Sequence, residues 1–265
     1  GVGMAPRYVD AVLEGGLKPN TGVRTVLDTG TLLTLDGQRG YGQIVGAQAM
    51  ALGMARARQH GSCIRTLANA HHLGRIGHFA EMAVAQGLVA MHFVNVLSRP
   101  VVAPYGGGDG RFGTNPCCIG VPLAGNEPFV LDFATSRVAQ GKMRVAYNEG
   151  RQAEPGTLID ERGRPTTNPG VVVVPQSNGL FGALMTFGEH KGYGIAVFCE
   201  FLAGILSGGG TNRTERREGV GASWNRSSNR VHPHSCDRRK YVRASYQSVD
   251  VVGSAADAMR RGSAR

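Results

Sequence analysis

Residues 105–116 read YGGGDGRFGTNP, and within them Gly108, Gly110 and Gly113 spell G-x-G-x-x-G. Asp132 follows nineteen residues after Gly113, about where a dinucleotide-binding βαβ unit places the acid that holds a ribose. Such a loop works because its glycines open a helix whose N-terminus faces the pyrophosphate, directly after a strand. Here Gly113 leads instead into Thr114-Asn115-Pro116 and then CCIGVPL, with Pro122 and Pro128 still ahead. Proline removes an amide donor and disfavours the helical region for the residue before it. No helix can start there, so the match is a decoy and the chain is not a Rossmann fold. The glycines still allow a backbone to approach a ligand closely.

Outward from this loop, the sequence reads as mixed α and β. Met4–Leu13 suits a short helix ended by Gly15-Gly16. Val23–Leu27 and Thr31–Leu35 read as strands joined through Asp28-Thr29-Gly30, a hairpin signal. Gly42–His60 places Val45, Ala49, Leu52 and Ala55 on one helical face, with Gly61 as the stop. Strands are expected over Ser62–Leu67, Leu88–Val94 and Pro128–Phe133, with a helix at His78–Ala85. Val101–Pro122 reads as strand, glycine loop, strand. Ser136 can cap a helix running to about Tyr147. Residues 151–178 form a turn-rich excursion around a VVVV strand at 171–174, and Lys191–Leu206 reads as a long, deeply buried apolar helix.

The chain has 265 residues, 40 of them glycine, and a net charge of +10. That charge is unevenly spread. Residues 211–265 hold 12 Lys+Arg against 5 Asp+Glu, while residues 1–210 hold 17 against 14. The body therefore gives no polyanion footprint. The Arg/Ser-rich segment 221–247 lacks period 3.6 or 2 and is expected to be irregular. The division drawn is an oxidoreductase-sized unit at 1–217 and an irregular basic tail at 218–265, a disordered tail or the product of a shifted reading frame. Cys63, Cys117, Cys118, Cys199 and Cys236 show no C-x-x-C spacing and read as reduced thiols of a cytoplasmic protein. Ile195–Leu206 is too short, and with Glu200 too polar, to span a bilayer, and from the residues at its start no leader peptide is expected.

Three stretches look polar for a reason. His71-His72-Leu73-Gly74 lies between a predicted strand and a predicted helix, where an imidazole can serve as general acid or base or simply satisfy a helix start. LDFATSRVAQGK (131–142) ends a strand at Asp132 and opens a helix at Thr135-Ser136, whose amides cap the helix or receive phosphate or carboxylate. FGEHKGYG (187–194) puts Lys191 at the positive end of a helix dipole, a destabilising position that an anionic ligand would explain, as would simple solvation. His71, His72 and His78 lack metal-site spacing, so no metal is expected. Neither a G-x-S-x-G elbow nor a G-x-x-x-x-G-K-[ST] loop is present.

Together PRYVDAVLEGG, ANAHHLGRIGHFAEMA, VVAPYGGGDGRFGTNP, VLDFATSRVAQGK, DERGRPTTNP and FGEHKGYGIAVFCEFLAGILSGGG resemble, in order and over roughly residues 1–217, the malate/L-lactate dehydrogenase family that is unrelated to Rossmann dehydrogenases. The resemblance implies a mixed α/β fold with a largely antiparallel sheet flanked by helices, a homodimer, and NAD or NADP as cofactor. It implies hydride transfer between nicotinamide and the carbon of a 2-hydroxy or 2-oxo acid. By position it makes His72 the catalytic histidine beside the substrate. Tyr8 and Asn95 become substrate contacts, and Asp132, Phe133, Ala134, His190, Lys191 and Gly192 cofactor contacts. The family motif Ser-His-Gly, whose histidine donates a proton, is represented only by Gly1, and Met4 stands at a usual arginine. Two alternatives follow: an inactive dimerising remnant of the family, and a nucleic-acid binder acting through the basic tail.

Overall fold

The computed structural model describes residues 4–212 and 245–254. The chain opens with helix α1 (Ala5–Leu13) and the antiparallel hairpin β1 (Arg24–Asp28) and β2 (Leu32–Asp36). The long helix α2 (Gly42–His60) then leads into β3 (Ser62–Ala70), α3 (Gly77–Val84) and β4 (Leu88–Leu97). After the glycine loop come β5 (Cys117–Val121) and β6 (Phe129–Phe133), then α4 (Gln140–Asn148). The short strands β7 (Leu158–Ile159), β8 (Pro165–Thr166) and β9 (Ala183–Leu184) form a separate small sheet. Helix α5 (His190–Cys199) continues into a π-helix at Glu200–Leu206, and β10 (Ser245–Ser254) completes the described chain.

Seven strands make the main sheet, in the order β1-β2-β3-β10-β4-β5-β6. Only β2 and β3 run parallel; the other five pairings are antiparallel. This is the mixed, largely antiparallel α/β architecture expected. Alternation along the strands sorts the two faces. Leu88, Ala90 and Val94 of β4 join Cys63 and Leu67 of β3 in a core with Val45, Ala49, Met50, Met54 and Ala57 of α2 and Phe79, Ala80 and Ala83 of α3. On the other face Phe93 stacks edge-on with Phe198 of α5, the rings 5.2 Å apart. Gly61 ends α2 at φ 84°, a backbone conformation glycine adopts without strain. The buried stripe of α2 leaves Ala55 exposed, one step round from the face drawn from sequence.

The structure corrects four local expectations. The glycine loop behaves as read, since Tyr105–Gly110 makes turns and Val102 pairs with Phe112, with no helix following. The four valines, however, are no strand: Pro169–Val172 is a 3-10 turn, started by proline and capped by the Asn168 side chain on the Gly170 amide at 2.9 Å. Helix α4 begins at Gln140, because residues 136–137 are drawn into a strand-like pairing. Ser136 bridges Thr186, and the Arg137 amide donates to the Met185 carbonyl at 2.8 Å. The apolar helix after Lys191 is not buried all round, since Phe198, Phe201, Ile205 and Leu206 stay exposed, Phe201 by 59% and Ile205 by 61%. Most of the tail drawn at 218–265 lies outside the described residues. Its described part is β10, which occupies the middle of the sheet between β3 and β4.

What seats β10 is polar. Asp250 is 1% exposed and bonds both the Arg65 guanidinium of β3 and His92 Nδ1 of β4, while Ser248 Oγ donates to it at 3.3 Å. Buried charge is costly unless it is paired and hydrogen-bonded. Arg65 accordingly is pulled down to about 9 by burial, and His92 to about 3 by burial and then by Arg65.

Candidate functional site

Two clusters of the expected residues form around the ends of β3 and β6. The first is assembled by α2. Gly42 packs so tightly that a Cβ on it would lie 2.3 Å from the His71 carbonyl oxygen and 2.4 Å from that of His72. Only glycine permits this approach, so the helix start is pressed onto the backbone of the two histidines. The His71 amide donates to the Gly40 carbonyl at 3.0 Å, which fixes the loop from the other side. Tyr8, on α1, reaches across with its hydroxyl 2.7 Å from His72 Nδ1. Its ring stands edge-on to both Tyr41 and His71 at 5.8 Å, and Gln43 Nε2 donates to its hydroxyl at 2.7 Å.

The electrostatics of this cluster keep both imidazoles neutral. Burial, then His71 and Arg7, brings His72 down to about 4. Burial and Arg7 lower His71 as well, and its Nδ1 is a buried nitrogen with no partner. A neutral imidazole offers one donor and one acceptor. An anion placed here would raise His72 again, since an opposite charge favours the protonated form.

The second cluster joins the end of β6 to the start of α5. The Phe187 amide donates to the Thr135 carbonyl at 3.0 Å, and the Thr135 amide to that of Thr114 at 2.9 Å. Phe133 and Phe187 stack at right angles, 5.5 Å apart. A Cβ on Gly192 would lie 2.3 Å from the Phe187 carbonyl and 3.0 Å from that of Thr135, so glycine is what lets α5 sit this close to residues 133–135. Glu189, ahead of His190, is held at φ 56° and ψ −117°, a strained conformation for a residue with a side chain. Lys191 is exposed in the first turn, which contains no acid and no side-chain cap. The His190 ring stands 5.9 Å from that of Tyr105.

Asp132 ties the clusters together. Its Oδ2 accepts from the Gly77 amide at 2.7 Å, capping the first turn of α3, whose own Ile76 gives no side-chain cap. Gly77 stands five residues after His72, within about 18 Å of extended chain. Asp132 thus anchors the end of the loop that carries His72, while residues 133–135 of the same strand end receive α5 through Phe187 and Gly192. The expectation that Thr135-Ser136 opens a helix fails, and with it the free helical amides there. Ser136 Oγ donates instead to the Val138 carbonyl at 2.8 Å.

Asn95 lies on the sheet face covered by α5 and the π-helix, where a Cβ on Gly204 would come within 2.7 Å of its Nδ2. Wholly buried, its Nδ2 donates to the Gly210 carbonyl and to Gln247 Oε1, both at 3.1 Å, on the face of the sheet away from α2. Several contributors escaped the sequence reading. Gln43 carries no motif, and its only signal is its place beside the glycine that opens α2. Phe187 and Thr114 act through main-chain atoms that any residue supplies.

Comparison with known proteins gives this geometry its context. A family model described as malate/L-lactate dehydrogenase matches residues 1–232. Hydroxycarboxylate dehydrogenase B of Escherichia coli is 50% identical over 215 residues, covering 81% of this chain and 58% of that protein. L-lactate dehydrogenase of Cupriavidus necator is 44% identical over 221 residues, covering 83% of this chain and 62% of its own length. This chain thus spans less than two thirds of these curated relatives. A solved Escherichia coli structure of the malate/lactate dehydrogenase type superposes with a TM-score of 0.82 at 40% identity, covering 100% of this chain and 68% of that one.

Proposed function

Since the chain belongs to the malate/L-lactate dehydrogenase family, we propose that it is an NAD- or NADP-dependent oxidoreductase interconverting a 2-hydroxy acid and its 2-oxo acid. One observation carries the reading. The His72 loop ends on Asp132, and the start of α5 is packed onto the same strand end through Phe187 and Gly192. A dinucleotide laid along residues 132–134 and 190–192 would then have an imidazole within reach.

The residues present suit such a cofactor. The amides of Lys191 and Gly192 are already bonded to the Gly188 and Phe187 carbonyls, both at 3.1 Å, so the exposed Lys191 ammonium, in a first turn without an acid, is the group there that suits a phosphate. Lys191 would hold the phosphates, with Gly192 keeping the start of α5 close to residues 133–135. Asp132, Phe133 and Ala134 would line the side nearer the substrate. When bound, the nicotinamide supplies or accepts the hydride. Tyr8 and His72 form the hydrogen-bonded pair that meets the substrate oxygen, with His72 placed to exchange its proton. A substrate carboxylate beside them would raise His72 from about 4 towards the range where proton exchange is efficient. Asn95 acts in this reading from beneath, holding the π-helix side of the sheet to β10.

The same reading takes the protein as a homodimer, supported by the exposed apolar face of Phe198, Phe201, Ile205 and Leu206. The four cysteines among the described residues are buried and free, which suits a reducing cytoplasm. Among the described residues no helix is long and apolar enough to cross a membrane.

Titrating the purified protein with NADH and NADPH by fluorescence, then assaying reduction of small 2-oxo acids, tests the proposal. At least one cofactor should bind, and Lys191→Glu should weaken it about tenfold or more, since it reverses a charge at a phosphate. Cofactor binding without turnover would favour the inactive, dimerising relative. Failure of both cofactors to bind at millimolar concentration would sink the oxidoreductase reading.

A further inference from the structure

The contacts around Tyr8 fix more than its position. Gln43 stands in the first turn of α2, next to the glycine pressed against the His71–His72 backbone. Its Nε2 donates to the Tyr8 hydroxyl at 2.7 Å, and that hydroxyl lies 2.7 Å from His72 Nδ1. An amide nitrogen can only donate, and a phenol has a single proton. Gln43 takes one Tyr8 lone pair, and among the described residues the hydroxyl has no partner besides Gln43 and His72, so the phenolic proton is directed to Nδ1, which accepts it. A neutral imidazole that accepts at Nδ1 carries its own proton on Nε2.

We propose that Gln43 is the positioning residue of this site: acting through Tyr8, it fixes His72 as the Nε2–H tautomer. The imidazole then meets a substrate oxygen as a donor, which suits a carbonyl that becomes an alcohol. The surroundings agree. Tyr8 is held edge-on between Tyr41 and His71, so its hydroxyl cannot swing away from the line joining Gln43 to His72. The charged or titratable groups acting on His72 include His71, Arg7 and the chain's terminal amine, all of which disfavour an imidazolium. The consequence for turnover rests on the oxidoreductase reading; the tautomer itself does not.

The test uses the intact protein with 15N-labelled histidine. Long-range proton–nitrogen correlation spectra at pH 7 distinguish the two neutral tautomers, and His72→Gln assigns the signals. The wild-type protein should show His72 with its proton on Nε2. Gln43→Glu replaces a donor with a group that only accepts. Tyr8 should then turn its proton to Glu, accept from His72, and move the imidazole to the Nδ1–H form. Gln43 is exposed, so this variant should keep its fold, which circular dichroism checks. If the protein reduces a 2-oxo acid, Gln43→Glu should lower kcat about tenfold to a hundredfold, the lower range for a general acid–base effect, with cofactor affinity unchanged. A wild-type Nδ1–H tautomer, or a tautomer indifferent to Gln43→Glu, overturns the inference. A tautomer that switches in a protein without turnover supports the relay and counts only against the enzymatic reading.

Discussion

At single positions, this site depends on what is absent as much as on what is present. Gly42 carries no side chain, and the His71–His72 backbone fills the space a Cβ would need. Gly42→Ala forces that backbone to move and should cost about 1–3 kcal/mol, read as a lowered urea midpoint, together with a loss of the Tyr8–His72 bond. The histidines set a second expectation. In the folded protein His72 is held near 4, by burial, then His71 and Arg7, and His92 near 3, by burial and then Arg65. An unfolded histidine titrates near 6.5. Both are therefore depressed, so their contribution is present above about 6.5 and is lost as pH falls towards 4, where the unfolded chain takes up protons the folded one refuses. Each fully exchanged proton is worth about 1.4 kcal/mol per pH unit. Glu200, raised by burial, acts in the opposite sense, favouring the fold at low pH. Unfolding midpoints should fall between pH 6.5 and 4, and His72→Gln should flatten that slope by up to one proton; a flat wild-type profile would contradict the assignment.

Among the elements, β10 and the cap of α3 carry the clearest consequences. Asp250→Ala leaves the Arg65 guanidinium buried and unpaired, an expected cost of about 3–5 kcal/mol. Replacing the pair together, Arg65→Met with Asp250→Val, should recover much of it, and equilibrium unfolding of the three proteins decides. Asp132→Ala removes the cap on the Gly77 amide and should cost about 1 kcal/mol. The contrast between these elements explains how far the sequence could be read. Helices α1, α2 and α3 and the first six strands follow from apolar period and turn residues, because each buries one face against a neighbour. His72, Asp132, Lys191 and Gly192 stand out because their local motifs are contiguous. The 3-10 turn at Pro169–Val172 escaped because valine's strand preference yields to a proline and the Asn168 cap. Strand β10 escaped because its polar Asp250 makes sense only beside Arg65 and His92, which lie 185 and 158 residues earlier. Gln43 escaped for the same reason, as its partner Tyr8 lies 35 residues away.

Over the whole molecule, one face is unfinished. Phe198, Phe201, Ile205 and Leu206 project from α5 and the π-helix, and exposed apolar clusters of this kind mark interfaces. Phe201→Glu should turn a dimer into a monomer in sedimentation velocity while leaving the circular dichroism unchanged; a monomeric wild-type protein would count against the homodimer. The sheet order has a different consequence, for manufacture. Strands β3 and β4 flank a slot that β10 fills, so during synthesis both inner edges stay open while the chain runs on from Leu97 to Ser245. Open strand edges recruit one another. Newborn chains therefore present two unpaired strand edges for that interval, during which edge-to-edge association competes with completion of the sheet.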